Sequence, residues 1–302
     1  MASGIIALDV GGTSIKAALV IGGQLNEQSV KVYPSRAKES MDVIVTHLLD
    51  IIKHQALTMQ HPHSIVGVAL AFPGPFDYVR GISLMKGIDK YDAIYEVNLR
   101  EELRQKIEAD SELSSRFYAD LRIVFENDVR AFALGQLLSG QAAAYDRSLC
   151  LTIGTGLGSA FLDHGAIVTD HEAVPDGGWI FNQPFREGIV DDYISKRGIL
   201  RIASELGYQL EGMDVKELAN RSRQGDRAAG EVFERFGSVF AAALNPYNEA
   251  FRPEALILGG QIAKSFDLSM DGFRRTASRQ VEIVIVGNTS HSTFLGAASL
   301  LK

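Results

Sequence analysis

A chain of 302 residues, 46% of them hydrophobic, has ample core material and exceeds the usual size of one compact core, so two domains around a cleft are expected. A formal net charge of −7 excludes a nucleic-acid binder that works by phosphate neutralisation, which needs clustered Lys and Arg. A single cysteine, Cys150, excludes an internal disulfide or a multi-cysteine metal site and fits a reducing compartment, where it packs as a small core residue.

The first strands are expected at about 4–10, 15–21 and 28–33. No basic stretch and apolar segment lead into them, so no secretion signal is expected. Between the first two strands stand Gly11, Gly12 and Thr13, after Asp9 and before Lys16. A glycine pair after an apolar strand lets backbone N–H groups approach a phosphate, through easy access to positive φ and the lack of a side chain. A helix follows with Ile44, Leu48, Ile51 and Ile52 on one stripe, then a strand at 65–71 that stops at Phe72-Pro73-Gly74-Pro75.

Next comes a helix carrying Leu99, Leu103 and Ile107, and a strand at 121–125 that meets Glu126-Asn127-Asp128. A new helix then buries Val129, Phe132, Ala133 and Leu137, which marks the junction as a domain boundary. Asp128 has two roles open to it there. Aspartate is a preferred helix N-cap, and a carboxylate held at such a junction also suits a general base for phosphoryl transfer.

The second half repeats the order: a strand hairpin at 148–163, helices over about 189–244, a strand at 255–258 and another at 281–286. The hairpin turns at Gly154, Thr155 and Gly156, a second phosphate loop, and the strand at 255–258 runs into Gly259 and Gly260. Gly-Gly and Gly-Thr-Gly are also ordinary turn chemistry, and three such strand exits together argue for an ATP-dependent phosphotransferase. Neither loop fits the P-loop or the dinucleotide pattern. The apolar run 239–244 is broken by Asn245-Pro246, far short of the roughly 20 residues of a membrane span. A soluble, cytoplasmic protein with no nucleic-acid or membrane partner is expected.

These motifs, in this order and closed by Phe294-Leu295-Gly296-Ala297-Ala298, resemble the ROK family of sugar kinases and repressors over nearly the whole chain. The resemblance implies an α/β, actin-like (ribonuclease H-like) ATPase fold of two duplicated mixed-sheet domains. The first would span 1–126 plus a C-terminal helix at about 291–302, and the second 127–290. It further implies ATP and Mg2+ as cofactors, a hexose as substrate with glucose as the default, and a homodimer. Fructose, mannose, allose or an N-acetylhexosamine are the alternative acceptors.

By resemblance Asp128 is the catalytic base, and Asn127 and Gly74 lie on the sugar side. Asp9, Gly11, Gly12, Thr13 and Lys16 form the first nucleotide segment, with Asp9 holding magnesium through water. Gly154, Thr155 and Gly156 form the second, and Gly259 and Gly260 border the adenosine. The chain departs from the family in its sugar segment, where Asp176 stands for a glutamate, Trp179 for a histidine, Ile189 for a zinc cysteine and Asp191 for the closing glutamate. No zinc is therefore expected.

Alternatives stay open at these positions: Asp191 reads sugar or caps a helix, Trp179 stacks on sugar or fills a core gap, and His171-Glu172 form a displaced sugar pair or an inert loop. Because repressors of the family carry an N-terminal helix-turn-helix and this chain starts at the first phosphate strand, DNA binding by that route is not expected. The competing function is a catalytically silent sugar and nucleotide sensor on the same fold.

Overall fold

The computed structural model describes residues 3–59, 61, 64–208 and 212–302. They form two compact units, one of residues 1–140 with 290–302 and the other of residues 141–289.

In the first unit β1 (Gly4–Val10), β2 (Ser14–Ile21), β3 (Gln24–Pro34), β4 (Ile65–Phe72) and β5 (Phe117–Asn127) make one sheet in the order β3-β2-β1-β4-β5. The first three strands form an antiparallel meander, and β4 and β5 continue the sheet in parallel with β1. β1 and β4 are buried almost throughout, as expected of central strands covered on both faces, and so carry continuous apolar runs. Helix α1 (Met41–Leu57) lays Ile44, Leu48, Ile51 and Ile52 into one core, and α2 (Leu99–Ala109) adds Leu103 and Ile107.

The second unit repeats this topology. Strands β6 (Arg147–Ile153), β7 (Leu157–Asp163), β8 (Ala166–Val168), β9 (Ala255–Gly259) and β10 (Glu282–Ile285) run in the order β8-β7-β6-β9-β10. Again a meander leads, and two parallel strands follow. Cys150 is fully buried in β6.

The division between the units falls after residue 140 rather than after 126, because the helix that follows β5, α3 (Asp128–Ser139), packs within the first unit. Its partner is the C-terminal helix α7 (Thr289–Ser299). A Cβ on Gly135 would lie 1.8 Å from the Ser292 carbonyl oxygen, and one on Gly296 would lie 1.8 Å from that of Ala131. Backbones this close exclude a side chain at either glycine, and Gln136 Nε2 adds a 2.6 Å hydrogen bond to Ser292 Oγ.

The second unit's helices are α4 (Lys196–Glu205), α5 (Val215–Arg223) and α6 (Arg227–Ala250). α6 corrects the expectation of a break at Asn245-Pro246, since the helix continues through Pro246. Its far end is held by burial of Leu244 and the following Phe251, which outweighs the backbone hydrogen bond that proline lacks. Among the described residues no helix is long and apolar enough to cross a membrane.

Candidate active site

The first unit assembles most of the predicted residues at the ends of β1, β4 and β5. The β1–β2 hairpin pairs Val10 with Ile15 and leaves Gly12 and Thr13 exposed at its tip. The loop is held from beneath. Gly11 N donates to Ser14 O at 3.0 Å, Ser35 Oγ donates to Gly12 O at 2.7 Å, and the buried Tyr91 donates its hydroxyl to Gly11 O at 3.0 Å. Neither Gly11 nor Gly12 has a positive φ, nor does Gly154 or Gly156. Glycine in these loops thus supplies the absence of a side chain rather than unusual backbone.

Asp9, at the end of β1, accepts a 2.8 Å hydrogen bond from Ser290 Oγ through Oδ2. Lys16 Nζ donates to the same Ser290 Oγ at 2.5 Å and lies 3.8 Å from Asp9 Oδ2. Among the described residues Asp9 Oδ1 takes no partner, so the donor chemistry fits a hard cation held through water.

At the end of β5 the two roles open to Asp128 separate. Asn127, not Asp128, is the N-cap of α3, its Oδ1 accepting from the amides of Val129 and Arg130 at 3.1 and 3.3 Å. Asp128 is the first helical residue, and its Oδ1 also accepts the Val129 amide, at 2.9 Å. Burial first, and the Asp9 carboxylate second, push its carboxyl up to about 6, while Lys90 and the Val129 amide favour the charged form.

Asn127 Nδ2 donates to Tyr78 Oη at 3.1 Å, and Tyr78 donates onward to Phe72 O at 3.1 Å. The same phenol oxygen lies 3.2 Å from where a Cβ on Gly74 would be, so Tyr78 ties Gly74 to Asn127. Burial pushes the Tyr78 phenol well above its ordinary range and keeps it a neutral donor.

The second unit assembles its own group. The β6–β7 hairpin pairs Ile153 with Leu157, and Thr155 and Gly156 are exposed at its tip. A Cβ on Gly154 would meet nothing within 4 Å. Gly260, by contrast, has φ +95°, and a Cβ there would lie 2.3 Å from the Ile153 carbonyl oxygen. Its amide donates to Thr289 Oγ1 at 2.8 Å. Gly259 is buried at the end of β9.

Asp191 joins this group and does not serve as a helix cap. Oδ1 accepts the Leu157 amide at 2.6 Å, and Oδ2 accepts from Arg197 Nη2 at 2.6 Å. Burial raises its carboxyl above the ordinary value against both partners.

The remaining candidates lie in the segment between β8 and α4. Asp176 is exposed at the start of a short 3-10 turn. Trp179 folds its indole over Gly177, whose Cβ would lie 2.5 Å from Nε1. His171 packs edge-on against Phe251 with ring centroids 5.9 Å apart and accepts the Ala173 amide at 3.0 Å, while Glu172 is exposed. Ile189 pairs with Pro184 in a short strand ladder, and Tyr193 donates to Glu187 at 2.8 Å with Arg201 3.8 Å above its ring. Among the described residues no group of three or more His, Cys, Asp or Glu could hold a metal ion.

Sequence reasoning did not single out Tyr78, Lys90 or Ser290. None carries a local pattern that separates it from an ordinary surface or core residue, and each is brought to the site by the fold.

The sequence pattern of the ROK family matches residues 5–302. Glucokinase of Thermotoga maritima is 26% identical over 99% of this chain and 97% of its own length. The xylose repressor of Bacillus subtilis is 22% identical over 82% of this chain and 62% of its own length. Among solved structures, a ROK family glucokinase from Streptomyces griseus, in complex with glucose and AMPPNP, superposes with a TM-score of 0.74 at 21% identity, covering 99% of each chain. The fold is thus the actin-like ATPase fold, with α/β units built on mixed sheets.

Proposed function

The chain belongs to the ROK family, and from that premise we propose that it is an ATP-dependent sugar kinase with Asp128 as general base. The observation that carries this is the state of Asp128: a desolvated carboxyl raised to about 6, in the same unit as an exposed glycine loop and beside Asp9. A base with that affinity is ionised near neutral pH yet still takes a proton as the hydroxyl attacks.

In the proposed reaction the sugar oxygen forms a bond to the γ-phosphorus as its proton passes to Asp128. The β–γ bridging bond breaks, and its electron pair leaves with ADP. Asn127 and the Gly74 segment orient the acceptor in the first unit, and Asp176 and Asp191 are the second unit's residues assigned to sugar. The loops Gly11-Gly12-Thr13 and Gly154-Thr155-Gly156 are assigned to phosphate, Lys16 to the nucleotide segment, and Gly259 and Gly260 to the adenosine. Magnesium, when bound, offsets phosphate charge, and Asp9 would hold it through water.

Positioning and charge neutralisation supply most of the rate gain in such a transfer. Named relatives support the class: the glucokinase above, a beta-glucoside kinase of Listeria innocua and an N-acetyl-D-glucosamine kinase of Haemophilus influenzae. Glucose is the default acceptor, although Asp176 and Trp179 alter the hydroxyl-reading pattern and favour a test beyond glucose.

The test is sugar-dependent ADP formation with ATP and Mg2+ across hexoses and N-acylated hexosamines. Selective turnover supports the proposal and names the substrate. Sugar and ATP binding without ADP release would overturn it in favour of a silent sensor, the function that the similarity to a repressor makes the rival.

A further inference from the structure

Lys90 is a cation in the first unit that no role above absorbs. It sits in the loop between β4 and α2, and its aliphatic stem runs along the first phosphate loop: a Cβ on Gly12 would lie 3.3 Å from Lys90 Cδ. Among the described residues its ammonium group has no carboxylate partner within ion-pair distance.

The placement is built rather than incidental. Both neighbours of Lys90 have left-handed backbone, Asp89 with φ 59° and Tyr91 with φ 59°, a conformation that side chains other than glycine adopt at a cost. The fold meets that cost with buried contacts. Tyr91 is fully buried, its amide donates to Ala37 O at 2.6 Å, and its hydroxyl holds Gly11 O. On the other side Asp89 pairs with Lys38. Lys90 is therefore clamped between an anchor on the phosphate loop and an ion pair.

We propose that Lys90 is a further catalytic residue of this site: its ammonium group contacts the γ-phosphoryl oxygens during transfer, alongside the Asp128 carboxylate. The proposal rests on the kinase assignment and deepens it. As the sugar O–P bond forms and the bond to ADP breaks, negative charge builds on those oxygens, and a cation there lowers the barrier. Its charge also favours the ionised form of Asp128, against the Asp9 carboxylate. Tyr78, which feels Asp128, Glu126 and Arg130, is kept neutral by burial, and Lys16 is engaged with Ser290 and Asp9.

The experiment compares wild type, Lys90→Met and Lys90→Arg in sugar-dependent ADP release, with carbon-13 NMR titration of the Asp128 carboxyl in each nucleotide-free protein. Lys90→Met is expected to lower kcat about 10²-fold with the sugar KM within about twofold, and to move the Asp128 titration to higher pH. Lys90→Arg is expected to restore the titration and part of the rate, because it keeps the charge with a different geometry. A packing role would lower the melting temperature without moving the titration.

An active wild type with Lys90→Met of equal kcat and unmoved titration overturns the Lys90 proposal alone. A wild type without sugar-stimulated ADP release overturns the kinase assignment and the phosphoryl contact together, a result the active wild type of the first case distinguishes.

Discussion

The Asp191 carboxylate holds the amide of Leu157 at 2.6 Å and so fixes the end of the second glycine loop from a segment 34 residues away. Arg197 holds its other oxygen. One oxygen thus serves the loop and the other the arginine, and each retains a lone pair for a hydroxyl.

From that pairing, Asp191→Ala is expected to raise the ATP KM at least about tenfold, since a buried amide left without a partner costs about 1–3 kcal/mol and loosens the loop. Asp191→Asn keeps an acceptor for Leu157 and is expected to hold the ATP KM near wild type while weakening the charge-assisted bond to Arg197. Steady-state kinetics with both substrates varied separate the two: an Asp191→Ala effect confined to the sugar KM would assign Asp191 to the sugar and not to the loop.

Asp128→Asn is expected to fold normally and lose about 10²–10⁴-fold in kcat, the usual worth of general-base assistance. Asn127 supplies the cap of the helix, so the change leaves that cap in place. Wild-type turnover in this variant would remove Asp128 from the chemistry.

The same carboxyl predicts a pH dependence. Its raised value means that the folded chain binds the proton more tightly than the unfolded chain, whose carboxyl follows the ordinary value of 3.8. Stability from this group is therefore full below about pH 4 and is lost as pH rises through about 6, by up to about 3 kcal/mol. Asn is neutral throughout, so Asp128→Asn should be more stable than wild type above pH 6, with the gap closing towards pH 4. Denaturant melts across that range check it. In the wild type, kcat/KM should fall on the acid side with a midpoint near 6, where the base takes up its proton.

Two glycine substitutions are expected to differ in kind. Gly260→Ala places a Cβ against the Ile153 carbonyl in a left-handed backbone and should cost about 2 kcal/mol or more. Gly154→Ala meets no protein atom within 4 Å, so stability should change by less than about 0.5 kcal/mol while ATP binding weakens. Thermal melts paired with nucleotide titration calorimetry test both. Unaltered ATP affinity in Gly154→Ala would remove that loop from the phosphate site.

The amino-acid sequence by itself determined the strands, the two glycine hairpins, the strand-to-helix junction at Asn127-Asp128 and the repeated order of the halves. Those features are local: alternating or continuous apolar runs set the elements, and glycine and proline end them, all within a few residues. The tertiary structure decided what links distant segments. Ser290 meets Asp9 across 281 positions, and Gln136 meets Ser292 across 156, which moves the division of the chain from 126 to 140. Likewise Tyr78 reaches Asn127, Tyr91 reaches Gly11 and Asp191 reaches Leu157 only once sheets and loops are folded. Hydrogen bonds and desolvation between distant segments act over a few ångströms in space and leave no period in the chain, so the raised Asp128 and the place of Lys90 beside Gly12 come from packing alone.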